Sequence, residues 1–395
     1  MKMTQVYADL HIHLGADNRG RVVKVTASEH LTLENIAREC AGRKGIDLVG
    51  IVDAHSPGVL EDVRRWLTGG EAAELPGGGL RYRDQVTVIL GSEIETGEPG
   101  GGTSHHVAYF PSLAQMVEFS RYLGRHVTNL QLSTQRSDLT AAELVQLVSS
   151  TGGILVPAHV FTPHKSVFGN CANRLEAIFP GQLSRKIAAV ELGLSADAQL
   201  ADCLPELWDY RYLANSDAHS LDRIAREYNV IEVLTPSFDE LLLALWQREG
   251  RRIAANYGLD PRLGKYHRTF CLDCQKVATV PPPALVCPNC GSWQVVVGVL
   301  DRLTELAPAE PPGVPPQRAP YYHQIPLRQV PGVGAKALTR LLEAFGSEMA
   351  VLHRAEAADL AAVVGDRLAA SIIMAREGRL AIEAGGGGRY GRARN

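Results

Sequence analysis

The 395-residue chain reads as an α/β protein in which a barrel of strands and helices precedes a cysteine-bearing unit and a small all-helical unit. Three observations predict this. Up to about residue 260, short β-branched apolar runs alternate with helical stretches; four of the seven cysteines crowd into residues 271–290; and residues 325–383 have a helical pattern. At about 150 residues per domain, the length allows two to three domains.

The strand candidates are VYADLHI (6–12), LVGIVDA (48–54), VTVILGSEIE (86–95), HHVAYF (105–110), GGILVPAHV (152–160), AAVELGL (188–194) and RYLANSDA (211–218). Helical segments lie between several of them: TLENIARECAGRKG, with Thr32 as its cap, AAELVQLVSSTGG and PSFDELLLALWQREG. Runs that are apolar throughout and separated by helices imply a parallel sheet covered on both faces, and about 250 residues suit one barrel.

A composition of 45% hydrophobic and 21% charged residues is that of a soluble globular protein, which excludes disordered and coiled-coil classes. With 40 Lys+Arg against 43 Asp+Glu the formal charge is −3, so the chain cannot coat nucleic acid by bulk electrostatics, although a local basic patch stays open. The longest apolar runs, 48–52 and 295–300, are strand-sized, far short of the roughly 20 residues that span a bilayer. The amino terminus, MKMTQVYADLHIH, lacks the apolar stretch of a signal peptide. The expected location is the cytoplasm, with no membrane partner. An odd cysteine count with four in CxxC pairs suits a metal site in a reducing compartment better than a disulfide framework.

Histidines and acids gather at strand ends. His11 and His13 point to one face of the first strand, because side chains alternate with period two. Asp53 and His55 repeat that spacing, as do Asp217 and His219; Glu93, His106 and His159 fall between. Most lie near the carboxyl end of a strand, where barrel enzymes place their catalytic groups. Imidazole with carboxylate suits Zn, Mn or Fe, and more than four candidate ligands imply two or three ions. Such sites commonly hydrolyse phosphate esters. His164 and Lys165, on the loop after a ligand strand, are candidates for contact with the scissile phosphate; Glu191, Arg223 and Arg226 are rim candidates for substrate.

These motifs, HIH at 11–13, the Asp53/His55 turn, Glu93, His106, PAH at 157–159 and SDAH at 216–219, resemble those of the PHP (polymerase and histidinol phosphatase) superfamily. The resemblance implies a distorted seven-stranded β/α barrel. It implies His11, His13, His55, Glu93, His106, His159, Asp217 and His219 as metal ligands, with His11, His13, Glu93 and Asp217 as the catalytic set. Two or three divalent ions, Zn, Mn or Mg, would occupy them. A carboxylate often follows the HxH pair in this family, and Asp17 is the only one nearby. His105 and His106 point to opposite faces, so only one should ligate, and His106 fits the family pattern.

Cys271 and Cys274 are followed after twelve residues by Cys287 and Cys290, the spacing of one closed tetrahedral structural zinc. Zinc would be needed for this segment to fold. Lys265, His267, Arg268 and Lys276 give it a modest positive surface. In RQVPGVGAKALTRLLEAFG (328–346), Gly332, Val333 and Gly334 form a turn whose amides, with Lys336, can hold a phosphate at a helix start. The string resembles a helix-hairpin-helix DNA-backbone reader, and 360–378 resembles a degenerate second copy that keeps Gly365. Such readers grip phosphate, so lesion or sequence specificity lies elsewhere.

The expected boundaries are 1–262 for the PHP barrel, 263–306 for the four-cysteine unit, 307–324 for a proline-rich linker, 325–384 for the helix-hairpin-helix unit and 385–395 for a disordered basic tail. In this order the parts resemble the endonuclease Q family. That resemblance implies a repair endonuclease cutting double-stranded, and by extension single-stranded, DNA 5′ to hypoxanthine, uracil, xanthine and abasic sites, leaving 3′-hydroxyl and 5′-phosphate. It also implies association with the nucleoid. A sliding clamp would be its protein partner, but no short clamp-binding motif is visible. The rivals are a small-molecule phosphatase of the histidinol-phosphatase type, which leaves the DNA-reading tail unexplained, and a polymerase-associated PHP exonuclease.

Overall fold

The computed structural model describes residues 3–394. Met1, Lys2 and Asn395, included in the boundaries expected above, lie outside the described residues. The strands of the first unit are β1 (Thr4–Ile12), β2 (Leu48–Ile51), β3 (Ala72–Glu74), β4 (Leu80–Tyr82), β5 (Val86–Gly97), β6 (Thr103–Phe110), β7 (Ile154–Pro157), β8 (Ala189–Glu191), β9 (Arg211–Leu213), β10 (Tyr228–Val233) and β11 (Arg252–Gly258). The result is a mixed α/β fold around a central mixed sheet. Its path runs β11, β10, β1, β2, β5, β4, β3, with β6 attached to β5 and β7 to β6; β8 and β9 form a separate parallel pair.

The covered strands follow from their composition. Residues 8–17, all of β2 and nearly all of β5 are buried, because helices such as Pro57–Gly69, Leu113–Leu123 and Ala141–Ser150 cover the sheet. Thr32 caps its helix as expected, accepting from the Asn35 amide, and Thr140 forms a capping box with Glu143. The expectation of an all-parallel sheet is corrected. β1, β2 and β5 are parallel neighbours, but β6 runs antiparallel to both β5 and β7, and β10 to both β1 and β11. The glycine-rich turn between Gly97 and Thr103 is too short for a crossover, so β5 and β6 can only be a hairpin.

Asparagine side chains join β9 to the main sheet. Asn229 Nδ2 donates to the carbonyls of Ala8 (3.2 Å) and Ala214 (3.0 Å), and Asn256 Nδ2 to that of Tyr212 (3.0 Å). They anchor the segment that leads into Asp217 and His219.

In the four-cysteine unit, β12 (Phe270–Cys271) pairs with β13 (Val295–Val296). Buried Asp301 holds this unit's base, accepting from the amides of Thr269 and Ala284, both at 2.8 Å. The proline-rich segment after it has no helix or strand over 307–320, as its composition requires, but it is strapped down rather than free. Arg318 donates to Asp202 Oδ1 (2.7 Å) and to the carbonyls of Tyr210 and Leu207, and β14 (Tyr321–His323) then extends the sheet beside β11.

Four helices follow: Ala335–Phe345, Glu348–His353, Ala357–Val364 and Asp366–Arg376. They dock on the first unit through Lys44 and Glu348 (3.0 Å) and through a hydrogen bond of 2.6 Å between the Tyr228 hydroxyl and His353 Nε2. The expected disordered tail is a second correction. Residues β15 (Ala381–Glu383) and β16 (Arg392–Arg394) form a hairpin whose glycine loop bonds back, Gly385 N to Arg262 O (2.8 Å) and Gly391 N to Leu263 O (2.9 Å). A Cβ on Gly386 or Gly387 would stand 2.6 Å from Val277 or Phe270, so the glycines permit close packing here rather than freedom.

Candidate metal centre

β1 delivers His11 and His13 to one face, both fully buried. A carboxylate stands behind each ring: Glu191 Oε2 lies 2.9 Å from His11 Nδ1, and Asp53 Oδ2 lies 3.0 Å from His13 Nδ1. A carboxylate on Nδ1 fixes the ring and turns Nε2 toward a metal position. The two Nε2 atoms are 3.3 Å apart. Glu93, from β5, places Oε1 at 3.5 Å from His11 Nε2 and Oε2 at 3.5 Å from His13 Nε2. Asp217 Oδ1 is 3.4 Å from both His13 Nε2 and His219 Nδ1. On the other side of Glu93 Oε1 lie His105 Nδ1 (3.0 Å) and His159 Nε2 (3.3 Å).

Among the described residues these side chains make three potential ligand groups, His11/His13/Glu93, His13/Asp217/His219 and Glu93/His105/His159, each with donor atoms within 4.8 Å of one another. Glu93 and His13 each fall in two of the groups; Glu93 has an oxygen to offer each, whereas His13, with Nδ1 held by Asp53, would ligate one ion through Nε2. The charge states suit metals. Burial would raise Glu93, but Lys24, His105 and His13 outweigh it and hold the carboxyl well below its ordinary range; His13, His11 and His219 do the same against burial at Asp217. His219 is pushed down to about 4 by burial and by His13, which leaves its imidazole neutral and able to ligate. The mixed imidazole and carboxylate donor set therefore fits divalent metal ions. A cleft of about 400 Å³ opens over it, lined by His13, Lys24, Glu93, His159, Lys165 and Asp217 among others.

His106 is not part of this cluster, and its expected role is corrected. In the β5/β6 register Glu95 faces His105 while Ile94 faces His106, so His105 shares the side of Glu93 and Glu95 and its neighbour points away. His106 Nε2 instead bonds Ser104 Oγ at 2.8 Å, its ring meets Phe179 edge-on, and burial pushes it down to about 3. His55 also stands outside the three groups, with Nδ1 at 2.7 Å from Ser92 Oγ. Asp17 binds Arg21 at 2.6 Å and is not among the donors.

Of the rim candidates, Glu191 and Arg226 are buried and engaged with protein, not aimed at substrate. His164 and Lys165 do line the cleft; His164 packs edge-on to Tyr266, and Lys165 Nζ lies 2.8 Å from Glu95 Oε2. Lys24 escaped the sequence reading. Its Nζ reaches Glu93 Oε2 at 3.1 Å from a loop, RVVKV, that carries no motif. Asp53, paired with His55 by spacing, lies behind the His13 ring and outside the three donor groups.

The four cysteines converge, with Sγ separations of 3.7 Å for Cys271 and Cys290 and 3.6 Å for Cys274 and Cys287. A tetrahedral zinc with Zn–S near 2.3 Å needs sulfur separations of about 3.8 Å, so the set fits one structural zinc. In the helical unit Gly332 (φ +92°), Gly334 and Lys336 are exposed just before and within the helix Ala335–Phe345. Val333 is buried and its amide donates to Val330 O at 3.0 Å, so the open amides are those of the helix start that follows. The second turn, at Gly365 (φ +84°), faces the first across a groove that includes Pro331 and Arg367.

No protein-family model matches the chain. It is 47% identical to the Bacillus subtilis protein YqxK, described as uncharacterized, over 99% of both chains. The crystal structure of the lesion-specific endonuclease PfuEndoQ from Pyrococcus furiosus superposes with a TM-score of 0.83 and 32% identity, covering 99% of this chain and 95% of that one. An endonuclease Q bound to a 27-mer duplex with an abasic lesion at its active site superposes equally well, TM-score 0.83 at 33% identity, over 99% and 96% of the two chains.

Proposed function

This chain belongs to the endonuclease Q family, and on that premise we propose that it is a metal-dependent DNA repair endonuclease that hydrolyses the phosphodiester 5′ to a damaged nucleotide. Its substrates are duplexes with abasic sites or with hypoxanthine, uracil or xanthine, and the products carry 3′-hydroxyl and 5′-phosphate. The observation that carries this reading is the set of three donor groups sharing His13 and Glu93 at the floor of an open cleft.

We assign His11, His13, Glu93, His105, His159, Asp217 and His219 as the ligands, holding two or three ions of Zn, Mn or Mg. When bound, such ions activate water and neutralise charge on the leaving oxygen. The chain's own residues do the rest. Glu191 and Asp53 keep the His11 and His13 rings in the ligating orientation. Lys24 and Lys165 bring positive charge to the cleft that receives the scissile phosphate. The amides of the first helical turn from Ala335, with Lys336, hold a phosphate at a distance from the cut. The target nucleotide rotates out of the duplex, at least cost where pairing is already weakened.

The first unit, 1–262, is read as a distorted PHP barrel, 263–306 as a zinc-binding unit and 325–384 as the helix-hairpin-helix unit. The enzyme would act on the nucleoid in the cytoplasm. A sliding clamp finds no support and forms no part of this reading.

The test is incision mapping on duplexes with one inosine, uracil, xanthine or abasic site, each with Mg, Mn or Zn. Cuts one phosphodiester 5′ to the lesion are expected. Intact duplexes together with rapid turnover of a small phosphomonoester would overturn the proposal.

A further inference from the structure

The loop of the C-terminal hairpin carries Tyr390, half-buried beside the metal centre. Its hydroxyl accepts a hydrogen bond from Arg226 Nη1 at 3.0 Å, and Lys265 Nζ stands 4.7 Å from the ring centroid. Arg226 is only 7% exposed, and its other nitrogens are committed: Nε donates to Ser216 O at 2.7 Å and Nη2 to Asp217 O at 3.2 Å. One rigid guanidinium therefore ties the hairpin to the two carbonyls at the turn that carries Asp217.

That turn needs holding. Asp217 sits at φ +44°, a left-handed conformation that strains a non-glycine residue and persists only where its surroundings impose it. Tyr390 and Asp217 also share the wall of a cavity of about 150 Å³, completed by Lys265, Tyr266, Gly193 and His159. The hairpin loop is fixed independently of the tyrosine side chain, by its backbone bonds to Arg262, Leu263 and Lys265.

We propose that the C-terminal hairpin positions the hydrolytic site: Tyr390 caps the Arg226 guanidinium, which sets the Ser216–Asp217 turn and so aims the Asp217 carboxylate at His13 and His219. Tyr390 is a positioning residue, since its contacts reach Asp217 through Arg226. This rests on the metal-dependent reading of the site given above.

The test uses the full chain with its four-cysteine unit zinc-loaded. Mn²⁺ binding is measured directly by electron paramagnetic resonance without DNA, and single-turnover incision of an abasic duplex is measured separately. Tyr390→Phe should weaken Mn²⁺ binding about tenfold, the lower end for residues that orient metal ligands, and slow incision comparably. Its duplex affinity in divalent-free buffer should not change. Arg226→Lys, which keeps the charge and loses the fork, should weaken Mn²⁺ binding at least as much, while Arg389→Ala on the same loop should match the parent chain. Wild-type Mn²⁺ affinity and incision in Tyr390→Phe overturn the proposal, as does wild-type Mn²⁺ affinity in Arg226→Lys. If Tyr390→Phe weakens Mn²⁺ binding but the parent chain cuts no lesion duplex, positioning stands and the endonuclease reading fails.

Discussion

Adjacent histidines on β6 have opposite fates because a strand turns every second side chain to the other face. His105 meets Glu93, and His106 is buried against Phe179. Their alanine variants should separate accordingly. His105→Ala should lose about 100-fold or more of incision, beyond the usual effect of residues that merely orient ligands, with little change in melting temperature. His106→Ala should instead cost about 2 kcal/mol of stability, by removing a buried ring that bonds Ser104 Oγ and Thr96 Oγ1 (3.2 Å), while keeping metal binding. Loss of incision in His106→Ala without loss of stability would reverse the assignment. Asp217→Asn should abolish incision and leave duplex affinity in divalent-free buffer intact, as a gel-shift titration would show. Asp53→Asn is milder: it frees the His13 ring and should weaken metal affinity about 10–100-fold.

At the scale of elements, the four-cysteine unit and the C-terminal hairpin depend on each other, because Phe270 and Val277 close on Gly387 and Gly386. Stripping the zinc with a chelator should unfold residues 266–298, since so short a segment has little core of its own. Protease cleavage within the hairpin should then rise while the central sheet keeps its circular dichroism. A hairpin equally resistant with and without zinc would show that the two are not coupled. The helix Glu348–His353 carries a pH dependence. Burial, then Arg376 and Arg354, push the His353 imidazole down to about 4 from an ordinary 6.5. A histidine with its folded value depressed contributes fully above the unfolded value, and the contribution is lost as pH falls through the folded one. Docking of this helix should weaken as the pH drops from 6.5 toward 4, seen as lower hydrogen-exchange protection in residues 348–353 once rates are referred to the intrinsic rate at each pH. His353→Gln should flatten that response.

For the whole molecule, a formal charge of −3 leaves DNA attraction to local arrangements. Lys336, at the start of the helix Ala335–Phe345, is exposed, so Lys336→Ala should weaken damaged and undamaged duplex binding alike. It should lower the slope of log affinity against log salt by about one. An unchanged slope would place the phosphate grip elsewhere. Among the described residues no helix is long and apolar enough to cross a membrane. The linker strap and the docked helices show that the parts are joined by packing as well as by chain, with Arg318 on Asp202 and His353 on Tyr228.

Local pattern in the chain was enough to single out most of the donor side chains that the fold brings together. His11, His13, Glu93, His159, Asp217 and His219 were legible because strand alternation and strand-end placement are local properties. The four-cysteine quartet and the PGVG turn were legible because their ligands and glycines lie within a few residues of one another. The tertiary structure alone decided what depends on distant neighbours. Register between β5 and β6 chose His105 over His106; the contact of Lys24 with Glu93 spans a fold no local pattern encodes. The glycine-rich tail read as disordered because it has no means of forming a core of its own. It is ordered because those same glycines let its backbone approach the four-cysteine unit and bring Tyr390 to Arg226.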